Sequence, residues 1–359
     1  MPGELSGEHF YTSEAYVFSR QDALTSNSLG KEKLIHARSL FPMTSPLRIA
    51  VLGAWHVHAE GYGRATLDHP ETELIAVWDD DAERGSAMAE ELGVEFAPEL
   101  EQLLGRSDLD GVTVTVATSD HDAVIGKAIS AGKHVFTEKL LSPTVAGCDE
   151  LIRAADDAGV VLTVSLPRLS RGYTRALKVL LDSGGLGRIT YSRVRLAHSG
   201  AIADSLPARF YDPGEAIGGA FFDLGAHPVY LTQLILGDQF SSVTATFTDM
   251  TGRGVEDNAS VTVTTADGAI GVIETGFVNP ASPFTIEVHG TAGSVLYGFD
   301  GSRMQWATRK EWTEIALPEN GPGPFREWID AIHDDTRTTE NLERARALTD
   351  LVAAVQAAH

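Results

Sequence analysis

Between residues 47 and 166, short apolar runs alternate with stretches whose apolar residues recur at helical spacing. The apolar runs are rich in β-branched residues and predict five strands, at 48–52, 74–78, 111–116, 134–137 and 160–164. The stretches between them predict four helices, at 81–92, 98–104, 121–131 and 143–158. Strands that alternate with helices indicate an α/β domain, with a mostly parallel, doubly wound sheet covered on both faces.

Stop and start signals support these helix boundaries. Gly93, Gly132 and Gly159 each follow a predicted helix, where a left-handed residue commonly ends it. Ser142 followed by Pro143 is typical of a helix start, with serine as the N-cap and proline in the first position.

After about residue 186 the pattern changes to the period-2 alternation of half-buried strands. Strands are predicted at 189–196, 242–247, 259–264, 269–277 and 284–288, separated by turn residues. Helices are predicted at 173–182, 229–236, 325–333 and 342–357. This pattern indicates a C-terminal α+β domain built on a mostly antiparallel sheet.

The chain is therefore expected to have three parts. Residues 1–46 show no sustained period and are predicted to be a loosely ordered N-terminal extension; for residues 1–42 an upstream start codon is one explanation, since Met43 stands just before the first strand. Residues 47–166 are predicted to form the α/β domain, and residues 167–359 the C-terminal α+β domain.

Composition narrows the functional class. With 28 Lys+Arg against 50 Asp+Glu, the formal net charge is −22, which disfavours nucleic acid and anionic membranes as partners. The one cysteine, Cys148, cannot form an internal disulfide, and the first residues lack a secretory pattern. We therefore expect a cytoplasmic protein.

The end of the first predicted strand is a candidate dinucleotide turn. Gly53 follows that strand, but Trp55 and His58 stand where a Rossmann loop has its second and third glycines. Asp79 ends the second strand, where an acidic residue binds the adenosine ribose; its alternative role is a helix cap. Since Asp79 is followed by two more aspartates and the nearest arginine, Arg84, lies further along the helix, the sequence favours NAD over NADP.

The pair His56 and His58 allows a second hypothesis. A His-x-His pair after a first strand also opens the metal sites of amidohydrolase barrels. That fold needs eight βα units, whereas the alternation here stops near residue 165. No metal site is therefore predicted.

Two groups of motifs resemble the glucose–fructose oxidoreductase/inositol dehydrogenase/MocA (Gfo/Idh/MocA) family. The first runs from Gly53 and Asp79 through His121 and the segment 131–135 to Glu138-Lys139, and the second is the run 218–227, which ends Asp223-Leu-Gly-Ala-His227. The resemblance implies that residues 47–166 form a Rossmann dinucleotide-binding domain. It implies that residues 167–359 form a domain with an open, mostly antiparallel sheet, which binds substrate and supports oligomerisation. It also implies an NAD(P)-dependent oxidoreductase acting on sugars, cyclitols or related polyols, assembled as a homodimer or homotetramer.

Three residues are expected to carry the chemistry. Lys139 follows the strand 134–137 at the carboxyl edge of the sheet, where it would stabilise an alkoxide; its alternative role is a solvated charge. His227 has a side-chain pKa suited to acid–base catalysis near neutrality and would take the hydroxyl proton during oxidation; its alternative role is a buried helix cap. Asp223 would orient His227 or bind a neighbouring hydroxyl.

Further residues complete the predicted site. Cofactor binding is predicted for Gly53, Trp55, His56, Val57, Asp79, Thr118, His121, Glu138 and Lys139. Substrate contacts are predicted for Arg168, Tyr211 and Tyr230. The sequence departs from the family pattern at four points: the glycine turn keeps only Gly53, the loop 116–118 lacks the family's Thr-Pro-Asn, Leu140 follows Lys139 where the family has proline, and Tyr230 stands where many members have aspartate. Tyr230 is therefore an alternative acid–base group to His227.

Two other functions stay open at the level of sequence. The same fold serves non-catalytic nucleotide or sugar sensors, which the presence of Lys139 and His227 disfavours. A minor alternative is an NAD-dependent enzyme that oxidises a sugar transiently to cleave a glycoside. The sequence does not identify the substrate or the direction of the reaction.

Overall fold

The computed structural model describes residues 45–309 and 311–359, so the predicted extension lies almost wholly outside the described residues. The described chain divides into two compact units after Val116. The division predicted from the sequence, at residues 46 and 166, stays a prediction. Within the described ranges, no helix is both long and apolar enough to span a membrane.

The first unit is a parallel sheet with helices. Its strands are β1 (Leu47–Leu52), β2 (Thr72–Trp78), β3 (Glu95–Phe96) and β4 (Gly111–Val114), in the order β3-β2-β1-β4. Its helices are α1 (Ala59–Asp68), α2 (Ala82–Leu92) and α3 (Leu100–Leu104). Helix α1 is not among the predicted helices. A Cβ added to its Gly63 would lie 2.5 Å from a methyl carbon of Leu92. The close packing of α1 against Leu92 therefore needs a glycine at position 63, although glycine disfavours the helix.

The second unit begins with further α/β structure. Strands β5 (His134–Thr137) and β6 (Leu162–Val164) pair in parallel, and helices α4 (His121–Ser130) and α5 (Val145–Ala158) accompany them. The predicted start of α5 at Ser142-Pro143 is wrong by two residues. Thr144 is the N-cap, and its hydroxyl accepts the N–H of Gly147 at 3.0 Å.

The C-terminal sheet has eight strands in the order β15-β14-β12-β11-β7-β10-β9-β8. Its strands are β7 (Ile189–Ala197), β8 (Ser242–Thr248), β9 (Asn258–Thr264), β10 (Ile270–Gly276), β11 (Thr285–Gly290), β12 (Ser294–Tyr297), β14 (Met304–Thr308) and β15 (Glu311–Ile315), with the short strand β13 (Phe299–Ser302) outside that order. Every adjacent pair is antiparallel except β7 with β10. Together with the parallel pairing of the earlier strands, this confirms the predicted fold class.

Helix α8 (Ala226–Leu236) is the element that carries His227 and Tyr230. It is buried along almost its whole length and packs on β7 and β10. The helix begins three residues before the predicted start at residue 229. Pro228 does not prevent this, because it lies in the first turn, where proline is tolerated. Asp223 lies in the turn before the helix and not on the helix.

The remaining helices of this unit are α6 (Gly172–Asp182), α7 (Pro213–Ala216), α9 (Pro324–His333) and α10 (Thr339–Ala358). Helices α9 and α10 anchor the parallel strands β5 and β6. Phe136 of β5 packs against Phe325 and Trp328 of α9, with ring centroids 5.5 and 5.8 Å apart. The Asn341 amide of α10 bonds both the N–H and the carbonyl of Val164 at 2.8 Å. The end of β5, after which Lys139 follows, is thereby held in place.

Candidate active site

Gly53 forms a tight turn at the end of β1. Its φ of +97° lies in a region that side chains rarely adopt, and a Cβ there would lie 2.5 Å from the Val116 nitrogen. Its N–H donates to the Trp78 carbonyl at 2.7 Å. Of the next residues, Trp55 and His56 are buried and Val57 is exposed. This turn suits a backbone approach to a pyrophosphate, although it has one glycine where the fingerprint has three.

Replacing Gly53 with alanine is expected to destabilise the protein and weaken NAD binding. Gly93→Ala is the matched control, because Gly93 has a φ of +71° but a Cβ added to it would meet nothing within 4 Å. Since both changes place alanine at positive φ, their difference measures the clash with Val116. We expect Gly53→Ala to cost about 1–3 kcal/mol more in free energy of unfolding. Equal unfolding free energies and equal NAD affinities would contradict this role of the turn.

Asp79 is held inside the protein at the end of β2. Its carboxylate accepts the N–H groups of Ala54 and Asp81, the latter at 2.7 Å, and two hydrogen bonds from the Arg84 guanidinium at 2.6 and 3.1 Å. The cap of α2 is Asp81, whose side chain accepts two backbone N–H groups. The Asp79 carboxylate therefore links the turn after β1 to β2, and its lone pairs are already engaged.

Arg84 changes the charge at this edge of the sheet. The same Arg84 nitrogen, Nη2, lies 2.6 Å from Asp79 and 2.7 Å from the exposed Asp80. The sequence alone suggested three uncompensated carboxylates here, with the arginine further away. In the structure the Arg84 guanidinium offsets part of the negative charge of these carboxylates. The end of β2 therefore offers the Asp80 carboxylate as an acceptor for a ribose diol and Arg84 as a donor for a 2′-phosphate.

Lys139 is buried in an ion pair within the second unit. Its Nζ lies 2.6 Å from Asp223 Oδ1 and 3.9 Å from Glu138 Oε2, and its side chain is 2% exposed. Burial by itself lowers the pKa of Lys139, but the two carboxylates outweigh it and the net pKa is raised. The peptide bond between Lys139 and Leu140 is cis. Lys139 is thus a fixed ammonium at neutral pH, not the solvated charge of the alternative interpretation.

His227 and Tyr230 form a second buried pair, one turn apart on α8. The Tyr230 hydroxyl lies 2.9 Å from His227 Nδ1, and it accepts the backbone N–H of Arg168 at 3.1 Å. Burial, together with the charges of Arg168 and Lys139, lowers the pKa of His227 well below its ordinary value, so the imidazole is neutral at pH 7. Burial raises the pKa of Tyr230. This differs from the expectation that Asp223 orients His227, since Tyr230 occupies Nδ1 and Asp223 pairs with Lys139.

Arg168 is fixed by aromatic side chains that the sequence did not single out. Its guanidinium donates to the Tyr173 hydroxyl at 3.2 Å and lies 4.4 Å from the centre of the Phe284 ring. Tyr173 in turn stacks on Tyr297 at 4.6 Å. Tyr173 lies on α6, Tyr297 on β12, and Phe284 directly before β11, so no local motif joins them.

The other predicted residues of this unit lie in separate surroundings. His121 begins α4 and bonds the Leu140 carbonyl through Nδ1 at 2.6 Å. Thr118 is half-buried in a short 3-10 turn. Tyr211 lies beneath the Arg253 guanidinium at 4.5 Å. Of the three predicted substrate residues, the structure therefore gathers Arg168 and Tyr230 around His227 and gives Tyr211 a different partner.

Comparison with protein families matches two models along the chain. Residues 47–166 match the oxidoreductase family with an NAD-binding Rossmann fold, and residues 174–296 match the Gfo/Idh/MocA C-terminal domain. The six strands β1–β6 all lie within the first match.

Three of the relatives that the chain matches are named as sugar or cyclitol enzymes. A 1,5-anhydro-D-fructose reductase of Ensifer adhaerens is 31% identical over 227 residues, covering 62% of this chain and 68% of the relative. A dTDP-3,4-didehydro-2,6-dideoxy-alpha-D-glucose 3-reductase of Streptomyces antibioticus is 29% identical over 258 residues, covering 70% and 75%. A scyllo-inositol 2-dehydrogenase (NAD(+)) of Bacillus subtilis is 27% identical over 264 residues, covering 71% and 75%.

Solved structures share the architecture. GenD2 from gentamicin A biosynthesis, in complex with NAD, is 26% identical with a TM-score of 0.75, covering 89% of this chain and 95% of that one. KijD10, a 3-ketoreductase from Actinomadura kijaniata in complex with NADP and TDP-benzene, is 22% identical with a TM-score of 0.78, covering 88% and 98%, and shows the fold alone. From the family models, the relatives and the fold, the chain belongs to the Gfo/Idh/MocA family of NAD-binding, Rossmann-fold oxidoreductases.

Proposed function

We propose that the protein transfers a hydride between a nicotinamide cofactor and a carbinol or ketone carbon of a sugar, cyclitol or related polyol. The observation that carries this proposal is the buried ammonium of Lys139, paired with Asp223 in the unit that also holds neutral His227. The names of the relatives, which are reductases and dehydrogenases of such compounds, support the substrate class. When bound, the nicotinamide supplies or accepts the hydride, so the protein must orient the reactants and manage one proton.

Lys139 is the group proposed to manage that proton. Its raised pKa keeps it positive at neutral pH, and a positive charge stabilises an alkoxide as it forms. In the direction of reduction it donates a proton to that oxygen, and in the direction of oxidation its neutral amine takes one. Asp223 holds the Nζ in place and sets its pKa, so Asp223 is proposed to act through Lys139.

NAD is proposed as the working cofactor, with NADP accepted as well. In the first unit Gly53, Trp55, His56 and Val57 form the turn proposed to receive the pyrophosphate. Because the Asp79 oxygens are engaged, Asp80 and Arg84 are proposed to meet the adenosine ribose in its place. Thr118, His121 and Glu138 stay predicted cofactor residues.

Replacing Arg84 with glutamine is expected to lower kcat/KM for NADP by about 10-fold or more, the effect of one lost hydrogen bond to a charged group. NAD has no 2′-phosphate, so its kcat/KM should change much less. Arg64→Gln is the control, since Arg64 also pairs with two carboxylates, Glu60 and Glu91, from a helix of the same unit. Steady-state kinetics with both cofactors measure the effect. An equal loss for NAD and NADP would show that Arg84 supports the fold and does not select the cofactor.

A screen of polyols, sugars and ketosugars tests the proposed function. The absorbance of the reduced nicotinamide is followed in both directions, with each cofactor. Turnover with at least one sugar-like compound is expected. Cofactor binding with no turnover across the panel would favour a sensor. Glycoside cleavage with no net change in the cofactor would favour the transient-oxidation alternative.

Two further predictions accompany this proposal. A homodimer or homotetramer is expected from the family resemblance, and a cytoplasmic location from the composition.

A further inference from the structure

The Tyr230 hydroxyl is a buried group whose hydrogen bonds can be counted. Among the residues that the structure describes, it has two partners, the backbone N–H of Arg168 at 3.1 Å and His227 Nδ1 at 2.9 Å. The Tyr230 side chain belongs to the most completely buried residues of the core, at 1% exposed. The hydroxyl is therefore shielded from bulk solvent.

The two bonds have defined directions. A backbone N–H donates only, so the hydroxyl oxygen accepts from Arg168. Within the described part of the chain, the hydroxyl hydrogen then has one acceptor within reach, which is the lone pair of His227 Nδ1. If Nδ1 carried a hydrogen instead, the hydroxyl hydrogen of Tyr230 would be buried without an acceptor, which is strongly unfavourable.

We propose that Tyr230 holds His227 as the tautomer with its proton on Nε2, so that the histidine is a hydrogen-bond donor and not the catalytic base. The His227 ring is neutral at pH 7 and cannot carry protons on both nitrogens. Its Nε2 makes no hydrogen bond within residues 45–309 and 311–359, so this N–H is available to a ligand. The inference rests on the proposed function, and it replaces the expectation that His227 takes the hydroxyl proton.

This assignment divides the work between two residues. In reduction, the hydride forms a C–H bond at the carbonyl carbon and the carbonyl electron pair moves to oxygen. That oxygen takes a proton from Lys139 Nζ, leaving a hydroxyl group on the product and a neutral amine on Lys139. The amine regains its proton before the next turnover from water that reaches its partner Asp223, whose side chain is 24% exposed. His227 donates a hydrogen bond from Nε2 to the oxygen and keeps its own proton. Tyr230 is a positioning residue, because it acts through His227.

The identity of residue 230 decides the tautomer. An ionised carboxylate at this position accepts hydrogen bonds and cannot donate them, so it would draw the proton to Nδ1 and leave the lone pair on Nε2. Tyr230 has the opposite effect because its hydroxyl oxygen already accepts the Arg168 N–H, so the hydroxyl donates to Nδ1 and the proton of His227 stays on Nε2. Replacing Tyr230 with aspartate is therefore expected to convert His227 from a hydrogen-bond donor at Nε2 into a base at that atom.

Nitrogen NMR of the free protein tests the tautomer without any turnover. Protein labelled with ¹⁵N-histidine is recorded near neutral pH, and the His227 signals are assigned by their loss in His227→Gln. We expect the wild type to show the proton on Nε2, Tyr230→Phe to show a mixture of tautomers, and Tyr230→Asp to show the proton on Nδ1. Tyr173→Phe is the control, since it removes another buried hydroxyl that bonds Arg168, and it should leave the His227 signals unchanged.

Two results would overturn the proposal. One is a wild-type His227 with its proton on Nδ1, and the other is a Tyr230→Phe variant that folds and keeps the pure Nε2 tautomer. If Tyr230→Phe unfolds, the wild-type spectrum alone decides the question. The NMR spectra of the wild type and of Tyr230→Phe need no substrate. A wrong tautomer assignment can therefore be told apart from a wrong assignment of the oxidoreductase activity.

Discussion

Replacing Lys139 with methionine is expected to lower kcat by about 10²–10⁴-fold, the usual contribution of a positioned acid–base group. The change removes the ammonium that would protonate the reacting oxygen, while the methionine retains much of the lysine stem. It also leaves the carboxylates of Asp223 and Glu138 without their shared cation. Since Glu138 is 3% exposed, a lower free energy of unfolding is expected as well.

Two measurements separate these effects. Thermal unfolding and NAD titration report whether the Lys139→Met variant is folded and binds cofactor. Lys178→Met serves as the control, because Lys178 also pairs with an aspartate, Asp182, but on an exposed helix face. Near-wild-type turnover by folded Lys139→Met would remove Lys139 from the mechanism.

Replacing Asp223 with asparagine is expected to shift the pH dependence of reduction. Reduction needs protonated Lys139, so its rate falls as the pH rises through the pKa of that group. Asp223 raises this pKa, and asparagine carries no charge. The alkaline limb of kcat/KM should therefore move to lower pH, and kcat at neutral pH should fall by about 10- to 100-fold, the value of one hydrogen bond to a charged group.

Asp182→Asn is the matched control for this second prediction, since it removes the exposed partner of Lys178 and should leave the pH profile unchanged. The profile of oxidation gives an internal check. Because oxidation needs neutral Lys139, its acid limb should move to lower pH in Asp223→Asn as well. An unchanged profile in both directions would mean that Asp223 does not control the pKa of the group that titrates.

Much of the fold could be predicted because its strands are local patterns. The apolar runs in β1, β2 and β5 are continuous, and β7 to β11 alternate clearly, so period and composition identify them. Helix α1 could not be predicted because Gly61 and Gly63 weaken its propensity, and the packing of Gly63 against Leu92 appears only in the fold. The strands after β11 are four or five residues long, too short for a period to stand out.

The site could be predicted in part, for a similar reason. Lys139, Asp223 and His227 lie in motifs that can be recognised along the chain. Their pairing cannot be recognised there, because Lys139 and Asp223 are 84 residues apart and meet only in the fold. The contact of Arg84 with Asp79 depends on how α2 begins, and the contacts of Arg168 depend on α6 and β11.

The transfer of a labelled hydride tests the central claim most directly. Reduced nicotinamide carrying deuterium at both C4 positions is incubated with the wild-type protein and a ketosugar that the screen identifies, and the product is examined by NMR and mass spectrometry. We expect one deuterium, bound to the carbon that was the carbonyl, on one face of the sugar, with little product from Lys139→Met. A product without deuterium at that carbon, or equal labelled product from Lys139→Met, would contradict the proposed hydride transfer.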